Sequence, residues 1–167
     1  DLLFNSFLEE SITSLVIPGS IKEITSHVFS ELINLKKVVI NEGVEVIGEG
    51  AFRTYSYGKT VDKLEEIVLP SSIKKLASAA FSGRTALKTI NLPEGLTTID
   101  YGVFTGCDAL DSVHIPSTVT ELSPSAFSVR VWERQKSKMT AITVADNNQN
   151  YCAVNNVLYN KAMTEIL

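Results

Sequence analysis

Residues 87–107 read Leu87-Lys88-Thr89-Ile90-Asn91-Leu92-Pro93-Glu94-Gly95-Leu96-Thr97-Thr98-Ile99-Asp100-Tyr101-Gly102-Val103-Phe104-Thr105-Gly106-Cys107. Ile90 and Leu92 alternate with Asn91, so the two apolar side chains share one face of a short strand and Asn91 takes the other. Pro93 ends the strand, because proline has no N–H to offer a ladder. Leu96 and Ile99 form a second apolar pair, and a small residue followed by phenylalanine closes the unit.

The same unit recurs on both sides. Phe29, Phe52, Phe81, Phe104 and Phe127 are spaced 23, 29, 23 and 23 residues apart. Ile12, Leu35, Leu64, Leu87, Leu110 and Met139 keep the same register, with spacings of 23, 29, 23, 23 and 29. Prolines fall at Pro18, Pro70, Pro93 and Pro116, with Asn41 and Ala145 at the remaining positions. The alternating pair repeats as Leu15/Ile17, Val38/Ile40, Ile67/Leu69, Val113/Ile115 and Ile142/Val144. The second pair repeats as Ile21/Ile24, Val44/Ile47, Ile73/Leu76 and Val119/Leu122. A unit of this length cannot bury its own apolar face, so the copies must stack, each column on its own kind. The expectation is a solenoid of about six repeats. Parallel strands form one face, short strands or helical turns the other, and a phenylalanine spine lies inside.

This pattern resembles the BspA-like (Treponema pallidum type) class of leucine-rich repeat over about residues 12–145. The run Val113-His-Ile-Pro-Ser-Thr-Val-Thr-Glu-Leu-Ser-Pro-Ser-Ala-Phe127 carries the likeness. The tail, Asn150-Tyr151 followed by Asn156-Val157-Leu158-Tyr159-Asn160-Lys161, also resembles that family. It implies a C-terminal β-hairpin, expected with Asn160-Lys161 at its turn. Asn156 departs from the family, which often has glycine there. The resemblance further implies a non-enzymatic, cell-surface or secreted binding module engaged in adhesion. A repeat region serving as spacer or targeting element for an enzyme domain elsewhere is the alternative.

The chain has 167 residues, 44% of them hydrophobic and 20% charged, enough for one domain spanning 1–167 with a sizeable core. A net charge of −4 argues against nucleic acid as a partner. The apolar runs are too short for membrane insertion. The chain starts at Asp1 without an initiator methionine or a leader-like segment, and both ends of the repeat array read as incomplete, as in a piece of a longer protein.

Two outward columns and two insertions are the candidate binding elements. Val16, Val39, Val68, Asn91, His114 and Thr143 point away from the core, apolar at one end and polar at the other. Thr13, Lys36, Glu65, Lys88, Asp111 and Thr140 precede them, and their charges alternate in sign as cross-strand pairing for register and solubility requires. Three adjacent exposed valines are less easily explained by solubility. The insertions, 53–61 and 128–138, fall at the same point of the repeat and should emerge on one side. They carry Tyr55, Tyr57, Arg130, Trp132 and Arg134, residue types over-represented at interface hot spots. The partner expected is a protein on a host or neighbouring cell, or a glycan.

No catalytic motif survives inspection and no cofactor or metal is expected. His114 has only Asn91 and Thr143 beside it in its column, neither an activated nucleophile nor a base. His27 reads as a surface or satisfied histidine. Cys107 and Cys152 read as free thiols. The run Asp146-Asn147-Asn148-Gln149-Asn150 lacks the acidic spacing of a calcium loop and reads as a polar turn.

Overall fold

The computed structural model describes residues 11–30, 32–55, 62–128 and 138–167. Each coil contributes one strand to each of two parallel ladders. The strands are β1 (Ser14–Ile17), β2 (Glu23–Ile24), β3 (Lys37–Ile40), β4 (Val46–Ile47), β5 (Glu66–Val68), β6 (Lys75–Leu76) and β7 (Thr89–Ile90). They continue with β8 (Thr98–Ile99), β9 (Ser112–Ile115), β10 (Glu121–Leu122), β11 (Ala141–Val144), β12 (Tyr151–Val154) and β13 (Val157–Asn160). The even strands β2, β4, β6, β8 and β10 form one uninterrupted sheet. The odd strands divide: β1-β3-β5-β7 form a four-stranded sheet, and β9 pairs with β11 separately. The short elements opposite the main sheet are strands and turns rather than helical turns.

The third side of each coil is held at the phenylalanine corner. Phe29, Phe52, Phe81 and Phe104 each donate a backbone N–H to the residue before the next phenylalanine: Ala51, Ala80, Val103 and Ala126, at 2.8–3.1 Å. The five rings stack with centroids 5.3, 5.8, 5.9 and 5.3 Å apart. Phe52 and Phe81 are wholly buried, whereas Phe127 at the end of the row is half-buried. The inward columns are buried in the central coils as the alternation predicts, half-buried at Leu15, Leu69, Ile142 and Val144, and exposed at one position. Ile21, expected as an inward partner of Ile24, is 41% exposed, in the coil of the edge strand β2.

Adjacent coils interlock at the turn after each proline position, in a manner that alternates. Glu42-Gly43 and Glu94-Gly95 occupy every second coil, and Ser71-Ser72 and Ser117-Thr118 the coils that follow them. The Glu42 carboxylate accepts from Ser71 N, Ser71 Oγ and Ser72 N at 2.8–3.2 Å. Glu94 accepts from Ser117 N and Oγ in the same way. Ser72 Oγ accepts from Gly43 N and donates to Val44 O. Thr118 Oγ1 does the same between Gly95 N and Leu96 O. Where the order is reversed, glycine is needed for close approach: a Cβ on Gly43, at φ +112°, would lie 2.2 Å from Gly19 O.

The 29-residue coil that carries the first insertion closes with a buried ion pair. Cys107 and Arg84 occupy equivalent turn positions after their phenylalanines. Cys107 Sγ donates to Phe81 O at 3.3 Å, while Arg84 Nε donates to Phe52 O. The guanidinium also reaches Leu32 O and Phe29 O, and binds Asp62 at 2.9 Å. Asp62 in turn accepts from Ala86 N. Both side chains are fully buried. The long charged side chain thus serves carbonyls of two preceding coils, a task that one thiol manages in the shorter coil.

The tail forms the expected hairpin, β12 antiparallel to β13, but not at the expected turn. Asn155 (φ 51°) and Asn156 (φ 63°) occupy its two central positions. Both dihedrals lie in the left-handed region that a two-residue hairpin turn demands and that asparagine tolerates. The family's glycine at 156 has the same explanation. Asn160 instead opens a second reversal, its Oδ1 accepting from Thr164 N and Glu165 N. The polar run 146–150 is a turn whose centre, Asn148, is buried. Its Nδ2 donates to Pro116 O and Val119 O, and its Oδ1 accepts from Asn150 N and Tyr151 N.

Candidate binding surface

The odd-strand face sets out its side chains in rows that cross the strands. The row at the strand entry holds Lys36, Glu65, Lys88, Asp111 and Thr140. Lys88 Nζ bonds Glu65 at 2.6 Å, and Thr140 Oγ1 bonds Asp111 Oδ1 at 3.2 Å. The Lys88 hydrogen bond and charge, with Lys36 nearby, hold the Glu65 carboxyl below its ordinary value. The next row runs Lys37, Glu66, Thr89, Ser112, Ala141, and Lys37 Nζ bonds Glu66 at 2.9 Å. These solvent-exposed pairs act as register marks and contribute little to stability.

The third row holds the predicted site residues Val16, Val39 and Val68. The register pairs Val16 with Val39 and Val39 with Val68, so the three stand side by side. Val16 is 63% exposed, Val68 40%, and Val39 is half-buried between them. The row continues through Asn91 and His114 to Thr143, and His114 Nδ1 lies in hydrogen-bond contact with Thr143 Oγ1 at 2.9 Å. An apolar half and a polar half therefore share one face.

Between β5, β7 and β9 that face opens into a groove of about 520 Å³. Glu66, Val68, Thr89, Asn91, Ser112 and His114 line it, with Ile67, Leu69 and Ile90 beneath. It lies where the odd-strand sheet divides. Asp111 N donates to Lys88 O at 3.3 Å just before the strands, but β7 and β9 belong to different sheets. Nothing in the repeat pattern foretells this: Ile90-Asn91-Leu92 and Val113-His114-Ile115 alternate like their neighbours.

Of the insertion residues, Tyr55 is 41% exposed and carries the Arg53 guanidinium 4.0 Å above its ring. Tyr57, Arg130, Trp132 and Arg134 lie outside the described residues. Cys107 and Cys152 are free. Burial, reinforced by the Asp62 and Asp108 carboxylates, pushes the Cys107 thiol far up and keeps it protonated. His27 is exposed, and its ring covers the Gly50 Cα. Among the described residues no three His, Cys, Asp or Glu side chains gather as a metal site, and no helix is long and apolar enough to cross a membrane.

Comparison with known proteins bears on this architecture. The family model for the BspA type leucine rich repeat region matches residues 3–130 and 53–167, in six copies. The chain belongs to the BspA-type leucine-rich repeat family. A leucine-rich repeat protein from Eubacterium ventriosum is 27% identical, with a TM-score of 0.73 over 92% of this chain and 37% of its own. The Treponema pallidum leucine rich repeat protein is 26% identical (TM-score 0.67, 79% of this chain, 58% of its own). A leucine rich cell surface protein from Faecalibacterium prausnitzii is 29% identical (TM-score 0.62, 89% of this chain, 42% of its own). The BspA-type chain thus spans between about a third and three-fifths of these relatives. No curated protein matches it. This is a leucine-rich repeat region of the kind found in bacterial surface proteins, and its parallel ladders and C-terminal hairpin are those of the family fold.

Proposed function

We propose that this BspA-type repeat region is a non-enzymatic adhesive module, displayed at a cell surface or secreted. It would act as one domain and engage a protein partner through the apolar half of the odd-strand face. The observation that carries the reading is the contiguous row Val16, Val39, Val68, exposed on a rigid ladder whose flanking rows are charge-paired. Adjacent apolar side chains on one face, beside rows that pair their charges, are less easily explained by solubility than by a partner. The surface relatives support the same direction. The insertion residues Tyr55, Tyr57, Arg130, Trp132 and Arg134 would add contacts to the partner.

Site-specific photo-crosslinking on intact cells tests this. A photoreactive side chain at position 39 should trap a surface protein that one at Glu121, on the even-strand face, does not. Val39→Asp, alone and combined with Trp132→Ala, should abolish adhesion of protein-coated beads while leaving the fold intact. Equal trapping from both faces, or undiminished adhesion by the folded double variant, overturns the reading.

A further inference from the structure

The groove where β7 and β9 part has a chemistry unlike the valine row beside it. Its two lateral rows are Glu66-Thr89-Ser112 and Val68-Asn91-His114. Hydroxyl, amide and imidazole groups both donate and accept hydrogen bonds, which is the property that recognises sugar hydroxyls. Among the described residues, the carboxylate in the lining, Glu66, is already bonded to Lys37, and no lysine or arginine is part of the lining. Among the described residues, an anionic ligand would find only Lys37, already neutralised by Glu66, and a cationic one would compete with Lys37. Among the described residues, no phenylalanine, tyrosine, tryptophan or arginine lines the groove to serve as the buried anchor of a protein interface. Its volume falls within the range of small-ligand sites. Ile67, Leu69 and Ile90 make the floor, Thr89 and Ser112 keep one side low, and the bonded Lys37–Glu66 pair stands at one end.

We infer that this groove binds a neutral N-acetylated saccharide. The acetamido group lies against Val68 and Asn91, its methyl on the exposed valine and its amide on the asparagine. Ring hydroxyls bond Thr89, Ser112 and His114, whose ring is already oriented by Thr143. The inference rests on the reading of this face as a binding surface; the sugar uses the polar half and shares Val68 with the apolar row that the protein partner uses.

Titration of the whole chain with N,N′,N″-triacetylchitotriose, followed by amide NMR shifts, tests it. Saturable shifts should centre on Thr89, Asn91, Ser112 and His114. Asn91→Ala should weaken binding about five- to tenfold, the loss of one or two neutral hydrogen bonds. Ser112→Phe, which fills the groove from an exposed position, should abolish it. Cellotriose, lacking acetamido groups, should bind at least about fivefold more weakly. Absence of saturable shifts, shifts elsewhere, or affinity unchanged by both substitutions overturns the site. Equal affinity for cellotriose overturns the acetamido assignment, and tighter groove binding by an uncharged capped tripeptide overturns the saccharide class. Val39→Asp should leave the sugar titration unchanged. Loss of bead adhesion by Val39→Asp alongside a failed sugar titration would sink this inference and spare the protein-binding reading.

Discussion

The even-strand ladder and the odd-strand ladder are built by the same coils, yet one is continuous over five strands and the other divides after four. The even strands are two residues long, and their turns are clamped coil to coil by Glu42–Ser71 and Glu94–Ser117 contacts and by the phenylalanine ladder. The odd strands reach four residues and vary in what they show to solvent, from valine to asparagine and histidine. Stability in this solenoid is concentrated at the clamped corners, which leaves the odd-strand face free to open and to differ from coil to coil. That division of labour is how a repeat scaffold carries an irregular site without losing its stack.

Substitutions at the corners and on the face should separate accordingly. The largest effects belong to the interior. Arg84→Leu leaves Asp62 buried without its cation and should cost about 3–5 kcal/mol in denaturant unfolding, whereas Arg84→Leu with Asp62→Leu should recover much of the loss. Phe81→Ala, removing the central ring of the spine, should cost about 3–5 kcal/mol; a loss under about 1 kcal/mol would contradict a spine that carries the stack. Gly43→Ala imposes a Cβ on the Gly19 carbonyl at a left-handed φ and should cost about 1–3 kcal/mol. On the open face, Asn91→Ala and Val68→Asp should change the unfolding free energy by no more than about 0.5 kcal/mol. A large loss there would erase the contrast between the two ladders.

The smallest effect is a pH dependence of the clamps. Backbone and hydroxyl hydrogen bonds from Ser71 and Ser72 hold the Glu42 carboxyl below its ordinary 4.5. A carboxylate with a lowered folded-state value stabilises the protein above its unfolded value, and the contribution fades as pH falls through the folded one. Glu42→Gln should therefore lower the melting temperature slightly at pH 7, and the difference from wild type should vanish well below pH 4.5. A gap that persists in acid would mean that the carboxylate charge is not what Ser71 and Ser72 recognise.

Much of this architecture was legible in the sequence because stacking forces like residues into columns, and a 23- or 29-residue spacing between phenylalanines has no other economical reading. The Arg84–Asp62 pair was not, since the two lie 22 residues apart and meet only when one coil stacks on the next. Arg84 standing in a column with Leu32 and Cys107 was the available signal, a charge where the neighbours are apolar or small. The hairpin turn was misplaced because Asn160-Lys161 and Asn155-Asn156 are both plausible corners by composition. Register with β12 and two left-handed dihedrals decide for the second. The candidate surface was half visible. Val16, Val39 and Val68 followed from alternation, whereas the groove depends on the parting of two strands whose sequences pair well elsewhere.

The Glu-Gly and Ser-Ser turns make the array a two-beat structure. Over the four coils from Glu42 to Thr118 each kind follows the other: two Glu-Gly coils in succession would leave the glycine N–H without its hydroxyl, and a Cβ at the glycine position would press on the carbonyl of the coil before. Lengthening or shortening this stretch by a single turn therefore breaks the alternation, while a change of 52 residues, two turns together, as between Leu35 and Leu87, brings Glu-Gly back onto its own place.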